Sequence, residues 1–484
     1  MPGMAVSVVY DGKVYYAAGS GIARIGSESA VTEDTLFQIA SVSKAFTAAA
    51  LALLVDEGKV QWDAPVIDYL PEFRLYDPWV TREFTVRDLL THRSGLPLGA
   101  GDLLLFPEGN TSRQEVIHAM RYLKPSTSFR SEYAYDNLLY IIAGEVVARV
   151  SGLPFEDFLE QELLAALGMS DCTASLGRVA AGASKATPHL LVGEEYEITR
   201  SQITEASAAA GGVNCSAAGM ARWMQFVLDQ GVTAAGDALM SNEQFEQWVK
   251  PVTLIDPPAY MTEHAGAHLG AYALGWGIST FYGQPMWSHG GGLWGMTSFI
   301  AVLPEMKLAV FASNNQMSAA PRAIVYHILD QFLVGRAAEA GKDWIAILDE
   351  LYQARLLEGE EAVALAEESR DETSTPSLPL EAYTGTFTDD WYGPIEISLN
   401  DDGQLWFESG RSERLSGPLE HYQFDTFIAR WSDRQLRADA YVMFTLSPEG
   451  AADQIRMKAV SPTTDFSFDF HDLDLQRIPG ETQP

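Results

Sequence analysis

The sequence predicts an α/β protein: an antiparallel sheet flanked by helices, with a mostly helical insert between its first and last strands, followed by a C-terminal antiparallel β-barrel. Three observations predict it. β-prone runs open the chain and return only at Ala273, the long stretch between them repeats its apolar residues at helical spacing, and beyond Pro379 the pattern turns to short β runs with polar turns.

The first element is a hairpin, because the β-prone runs Met4–Tyr10 and Lys13–Ala18 are separated by Asp11-Gly12, a strong two-residue turn signal. Next, Ala45–Glu57 is apolar on every side until its last turn and is followed by Gly58, which predicts a helix buried on all faces and closed by a glycine. Helical periodicity recurs at Val86–Leu90, Leu138–Val150, Phe155–Leu167 and Ala217–Asp229. Ala273–Phe281, Pro285–Ser288, Met296–Leu303 and Leu308–Ser313 are short consecutive β runs, expected to pair antiparallel, and Arg322–Val334 is again helical. The simplest assembly sets the first hairpin beside these late strands in one sheet, with the last helix on one face and the helical middle on the other.

A charged helical stretch ends near Arg370, and Asp371–Pro379 is rich in Ser, Thr and Pro. The expected organisation is a first domain over 1–370, a linker over 371–379 and a barrel domain over 380–484, with strands at Ile395–Leu399, Gln404–Glu408, Phe424–Ala429, Ala440–Leu446 and Gln454–Val460.

Composition narrows the function classes. With 47% hydrophobic residues the chain has the material of a packed core, and no run approaches the ~20 apolar residues that a membrane span needs. A formal charge of −33 disfavours nucleic acid and anionic membrane surfaces as partners. The two cysteines, Cys172 and Cys215, give no disulfide framework and no metal-binding pattern, and a bridge between them is not expected. The first residues lack a secretory signal, so the compartment stays open: periplasmic or secreted if a signal was removed, cytoplasmic otherwise. Homo-oligomerisation is equally open.

Lys44 requires an explanation, because a lysine near the start of an apolar buried helix is costly unless its amine has partners or gives up its proton. Ser41 lies three residues earlier, on the same helical face, so hydroxyl and amine can meet as nucleophile and base. The N-terminus of the helix lowers the cost of a serine alkoxide and of a neutral lysine, and the Ser41 amide can point at a developing oxyanion. A bare Ser-x-x-Lys is common, with a helix cap and a snorkelling lysine as its bland reading.

The surrounding residues decide between them. Phe37-Gln38-Ile39-Ala40-Ser41-Val42-Ser43-Lys44-Ala45-Phe46-Thr47 resembles the nucleophile segment of class C beta-lactamases, family VIII carboxylesterases and D-aminopeptidases, of the penicillin-binding-protein type. That family's second landmark, Tyr-x-Asn before a helix, is matched by Tyr135-Asp136-Asn137. The resemblance makes Tyr135 a proton relay, its phenol acidified by the neighbouring ammonium, and Asn137 a holder of Lys44 and of substrate. The third landmark falls at Trp287-Ser288-His289-Gly290-Gly291-Gly292, where many relatives carry Lys-Thr-Gly. By resemblance His289 is catalytic, Gly291 and Gly292 bind substrate backbone, and the Gly292 amide joins that of Ser41 in an oxyanion hole. A histidine there titrates near neutrality and can donate to the tyrosine–serine network or to a substrate carboxylate, so carboxylate recognition, and with it beta-lactamase activity, should weaken.

Further matches at Leu90-Thr91-His92-Arg93-Ser94-Gly95-Leu96 and Ala210-Gly211-Gly212-Val213 extend the resemblance over roughly Met4–Val334. His92 reads as structural, Gly211 and Gly212 as a permissive turn, and Trp294, Tyr133 and Trp391 as core or rim aromatics. Leu380–Phe387, with Leu419–Tyr422 and Asp425–Phe427, looks like the lipocalin-like domain attached to some of these hydrolases, where it gates the cleft or assists assembly. The resemblance implies a serine hydrolase that cleaves a small ester or a peptide, D-residue-containing ones included, through an acyl-enzyme on Ser41, with no metal and no cofactor. Its alternatives are a peptide cyclase or transpeptidase, a weak beta-lactamase, and a non-catalytic penicillin-binding-like protein.

Overall fold

The computed structural model describes residues 1–337 and 340–479, which form two compact units. The first comprises Met1–Phe73, Pro78–Leu96 and Pro125–Tyr352; the second comprises Arg74–Asp77, Pro97–Lys124 and the chain from Gln353 onward.

The first unit is built on an eight-stranded antiparallel sheet. Its strands are β1 (Gly3–Tyr10), β2 (Lys13–Gly21), β3 (Thr253–Ile255), β4 (Gly270–Tyr272), β5 (Gly277–Phe281), β6 (Gln284–Leu293), β7 (Met296–Leu303) and β8 (Leu308–Asn314), in the order β2-β1-β8-β7-β6-β5-β4-β3. Asp11 and Gly12 both adopt positive φ, 48° and 74°, as the tight turn between β1 and β2 requires. The late strands join the first hairpin where β8 pairs with β1, one strand in from the β2 edge, with Met4 opposite Asn314 and Tyr10 opposite Leu308. Of the run expected as one strand, Ala273–Phe281, only Gly277–Phe281 is strand, β5, and Ala273–Trp276 forms the turn that links it to β4, around Gly275. That residue has φ of 83°, and a Cβ on it would lie 2.8 Å from Ala45 Cα and from Lys44 O, so only glycine lets the turn touch this helix.

Helices cover both faces. On one, α5 (Ala320–Leu333) buries Val325, Leu329 and Leu333 against Val8, Phe299, Ala301 and Val310. On the other lie α1 (Ser43–Asp56), α2 (Leu138–Ser151), α3 (Ala208–Gly211) and α4 (Ala217–Leu228), with Ala217 packed among Ala5, Phe37 and Met296. Every residue of α1 from Ser43 to Leu54 is buried, so α1 is the axis of the helical layer. Among the described residues no single helix is long and apolar enough to cross a membrane.

Cys172 and Cys215, expected to remain unpaired, form a disulfide. Thr173 and Asn214 exchange two backbone hydrogen bonds of 2.9 Å, and this bridge brings the cysteine Cα atoms to 4.4 Å, within disulfide reach.

The second unit holds a closed barrel of eight strands: β9 (Gly385–Asp389), β10 (Gly393–Leu399), β11 (Leu405–Ser409), β12 (Ser416–Gln423), β13 (Thr426–Ala429), β14 (Ala440–Leu446), β15 (Ala452–Ala459) and β16 (Leu475–Arg477). Phe387, Ile395, Phe407, Phe427, Val442, Phe444 and Ile455, all buried, supply its core. Asp371–Pro379, expected as a linker, lies within this unit: the Ser377 amide and hydroxyl each donate to Asp425 at 2.9 Å. Residues 97–124 belong to the same unit, because Asp469 accepts the amides of Gly101 and Leu103 at 2.7 and 2.9 Å and Arg414 pairs with Glu108. The unit boundary falls inside the helix α6 (Trp344–Glu368), upstream of the expected 370/371 division.

Candidate active site

Ser41 sits in a single 3-10 turn, Ala40–Val42, that runs directly into α1. Ala40 takes φ of 50°, a conformation that costs a non-glycine residue about 1 kcal/mol or more and must be imposed by its neighbours. Those neighbours are β6 and β7. Ser298 Oγ donates to Ile39 O at 2.6 Å, and a Cβ on Gly291 would lie 2.3 Å from that same oxygen and 3.0 Å from Ala40 Cβ. Gly291 therefore lets β6 press against the turn that presents Ser41. From the other side Ile39 N donates to Val213 O at 3.0 Å, and Val213 N donates to Ser43 Oγ at 3.0 Å.

Lys44 is wholly buried, 0% exposed. Its Nζ donates to Asn137 Oδ1 at 2.7 Å and to Ala210 O at 2.8 Å, and lies 3.2 Å from Ser41 Oγ. It also stands 4.7 Å from the Tyr135 ring centroid and 5.2 Å from that of Tyr140. Ser41, Lys44, Tyr135 and Asn137 are thus gathered at one place, on α1 and at the start of α2. The Ala210 carbonyl comes from α3, whose neighbours Gly211 and Gly212 were expected as a permissive turn. Gly212 instead has an ordinary φ of −85°, and its lack of a side chain serves packing, since a Cβ would meet Ala208 Cα at 2.6 Å.

The Tyr135–Asn137 segment is held by His92. The His92 carbonyl accepts the Ala134 amide at 2.9 Å, Nδ1 accepts the Asp136 amide at 3.1 Å, and the ring lies 4.3 Å from that of Tyr135. Burial, with the charge of Lys44 and that of any imidazolium at His289, holds the His92 imidazole well below its usual range, so it is neutral. Asp136 is also fully buried. Burial pushes its carboxyl up to about 7, against the opposing pull of the Leu139 and Leu138 amides and Lys44.

His289 differs from expectation. It projects from β6 at 7% exposure, and burial, then the positive charge of Lys44, drives its imidazole down to about 3. It does not titrate near neutrality as a surface histidine would. Its Nε2 lies 2.8 Å from Tyr272 Oη and its Nδ1 2.7 Å from Gly290 O, so both nitrogens are engaged inside the protein. Its ring centroid is 6.4 Å from that of Tyr135. Gly292 is exposed, with nothing within 4 Å of where a Cβ would stand, on the part of β6 that runs past its pairing with β5, which ends at Ser288. Of the aromatics singled out in the sequence, Trp294 is buried and its backbone amide donates to the Gln202 side-chain oxygen, Tyr133 lies 5.8 Å from Tyr272, and Trp391 is in the core of the second unit beside Tyr392.

Sequence reasoning missed Tyr272 and Ser298. Neither stands in a motif with a chemical signature; Tyr272 acts through a residue on another strand, and Ser298 through a main-chain oxygen 259 positions away. Among the described residues no group of three or more His, Cys, Asp or Glu side chains could hold a metal ion.

Comparison with known proteins identifies the family of the fold. The family model described as Beta-lactamase matches residues 1–332, and one described as Domain of unknown function (DUF3471) matches residues 369–477. The chain is 28% identical over 478 residues to the unguisins hydrolase ungD' of Aspergillus campestris (strain IBT 28561), covering 94% of this chain and 86% of that protein. It is 29% identical over 309 residues to penicillin-binding protein 4 of Amycolatopsis lactamdurans, covering 63% and 78%. The structure of the octameric penicillin-binding protein homologue from Pyrococcus abyssi superposes with a TM-score of 0.61 at 21% identity, over 94% of each chain.

Proposed function

Because the chain belongs to the Beta-lactamase family, a family of serine hydrolases, we propose that Ser41 is its nucleophile, Lys44 the base that activates Ser41, and an ester or amide its substrate. The observation that carries the reading is the environment of Lys44 Nζ. Two pure acceptors, Asn137 Oδ1 and Ala210 O, take two N–H groups, and Ser41 Oγ lies within hydrogen-bond distance at 3.2 Å. Once the ammonium gives up a proton, it keeps two N–H groups and gains one lone pair, and with both N–H groups so engaged the lone pair faces the serine hydroxyl.

Acylation then proceeds as follows. Lys44 Nζ takes the Ser41 proton as Oγ bonds to the substrate carbonyl carbon, and the carbonyl oxygen becomes an oxyanion facing the amides of Ser41 and Gly292. Tyr135, beside Lys44, passes the proton to the leaving alcohol or amine as the bond to it breaks, which leaves an acyl ester on Ser41. Water, deprotonated by the same pair, attacks that ester and releases the acid, and Ser41 recovers its proton. The N-terminus of α1 favours the developing negative charge throughout. Asn137 holds Lys44 in place. The names of the relatives, a hydrolase of unguisins and a penicillin-binding protein, are a reason to try peptide-like amides as substrates.

The experiment is labelling with a fluorophosphonate followed by peptide mass mapping, alongside hydrolysis of short-chain aryl esters. A single adduct on the peptide containing Ser41, with label and turnover both lost in Ser41→Ala, is the expected result. Ester hydrolysis that survives Ser41→Ala would overturn the assignment.

A further inference from the structure

The hydrogen bonds around His289 fix its tautomer. Gly290 O, 2.7 Å from Nδ1, can only accept, so Nδ1 carries a proton. The imidazole is neutral, held at about 3 by burial and by the charges of Lys44 and Arg322, so Nε2 carries a lone pair and the Tyr272 hydroxyl, 2.8 Å away, donates to it. Tyr272 is itself buried, with its phenol pushed well above the usual range by burial, so it stays a donor. Both nitrogens of His289 are therefore spent within the protein, and the side chain offers a substrate neither an N–H nor a charge.

Among the described residues, none of the groups that face this pair is a cation left to replace it. On α1, Lys44 is committed to Asn137 and Ala210. Ahead of α2 stands the Tyr135 phenol, and the neutral His92 ring lies 4.6 Å from Tyr272. Tyr140, on α2, donates to Leu90 O at 2.8 Å. On α5, Arg322 lies over the Phe299 ring at 5.0 Å and donates to Tyr260 at 3.2 Å; it sits beside Gly290, whose pleat faces away from that of His289.

We propose that Tyr272 is a specificity-determining positioning residue: by donating to His289 Nε2 it fixes the imidazole in its Nδ1–H tautomer, as an acceptor already occupied, and restricts the site to acyl donors whose leaving group bears no carboxylate, such as uncharged esters and internal or blocked amides. The proposal rests on Ser41 being the nucleophile. Without the phenol, Nε2 is free to carry the tautomeric hydrogen, and His289 regains an N–H that can meet a carboxylate.

The test uses two matched esters, 3-acetoxybenzamide and 3-acetoxybenzoate, which differ in one leaving-group charge. For the full chain, kcat/KM should favour the amide-bearing ester tenfold or more, with a ratio that stays flat from pH 5 to 8. In Tyr272→Phe the preference should fall at least tenfold across the same pH range. Nitrogen-15 spectra of imidazole-labelled protein, with the His289 signal assigned through His289→Gln, should show the Nδ1–H tautomer at pH 7 and its loss in Tyr272→Phe. A native preference for the charged ester, a ratio unmoved by Tyr272→Phe, or an Nε2–H tautomer in the unaltered protein would overturn the proposal. Should Tyr272→Phe fail to fold, the native ratio and the native tautomer still decide it. If neither ester is cleaved in a Ser41-dependent way, the fault lies with the nucleophile assignment, and the tautomer alone then judges the role of Tyr272.

Discussion

Replacing Gly291 by alanine should cripple catalysis while its neighbour Gly292 tolerates the same change in folding. A Cβ on Gly291 would stand 2.3 Å from Ile39 O, 2.4 Å from Ser298 Oγ and 3.0 Å from Ala40 Cβ, where ordinary contact begins at 3.4 Å. The shortfall against Ile39 O is 3.4 − 2.3 = 1.1 Å, and it falls on main chain, so the strand and the turn carrying Ser41 must separate by about that much. Overpacking of this kind costs roughly 1–3 kcal/mol, and breaking the Ser298–Ile39 bond adds about 1 kcal/mol. A displacement of about 1 Å at a nucleophile lowers the rate by on the order of a hundredfold. Ester hydrolysis gives kcat/KM, and thermal unfolding gives the stability. Gly291→Ala should lose both, whereas Gly292→Ala, with nothing within 4 Å of its new methyl group, should unfold at the native temperature. A Gly291→Ala enzyme with native turnover would refute the claim that β6 sets the position of Ser41.

Three other outcomes are expected. Lys44→Met, which keeps the volume and removes the amine, should lower the acylation rate by roughly a hundredfold or more, seen as slower fluorophosphonate labelling under single-turnover conditions. Asp136 has a carboxyl raised to about 7 in the folded state, so the folded protein binds a proton there that the unfolded chain releases near its ordinary, lower value; the stability tied to that proton is complete below the unfolded value and is lost as pH climbs through about 7. Asp136→Asn should therefore gain in melting temperature relative to the native protein at pH 8.5 compared with pH 5, and an unchanged difference would show that the carboxyl is not buried. Reduction of Cys172–Cys215, which closes 43 residues, should cost roughly 2–4 kcal/mol in denaturant titration.

The parts of the molecule that the sequence disclosed are those whose chemistry is local. A lysine inside an all-apolar helix with a serine three residues earlier is costly enough to demand partners, and the hairpin at Asp11-Gly12 needs only its own two residues. Glycine-rich Trp287–Gly292 was equally visible, yet the Gly291 in it faces Ile39 and Ala40, because which side of a strand meets protein depends on elements 250 residues distant. The same holds for His289, whose charge state follows from burial and from a tyrosine on another strand. The disulfide and the grouping of residues 97–124 with the barrel were hidden for the same reason: the Leu103 amide meets its carboxylate acceptor 366 positions later. The π-helical turn at Leu159–Leu164 also has no signal in a periodicity that reads as ordinary helix.

The pairing of β1 with β8 has a consequence for how the enzyme comes into being. Met4 finds its partner only when Asn314 exists, and the residues that grip the Ser41 turn, Gly291 and Ser298, lie just upstream of it. A growing chain that has passed Asn137 already contains serine, lysine, tyrosine and asparagine, yet nothing holds Ile39 and Ala40 in their strained shape. Closing so long a loop is slow. Reactivity is thereby deferred until β6 and β7 have been made, and a chain cut short before β6 carries its nucleophile without the means to aim it.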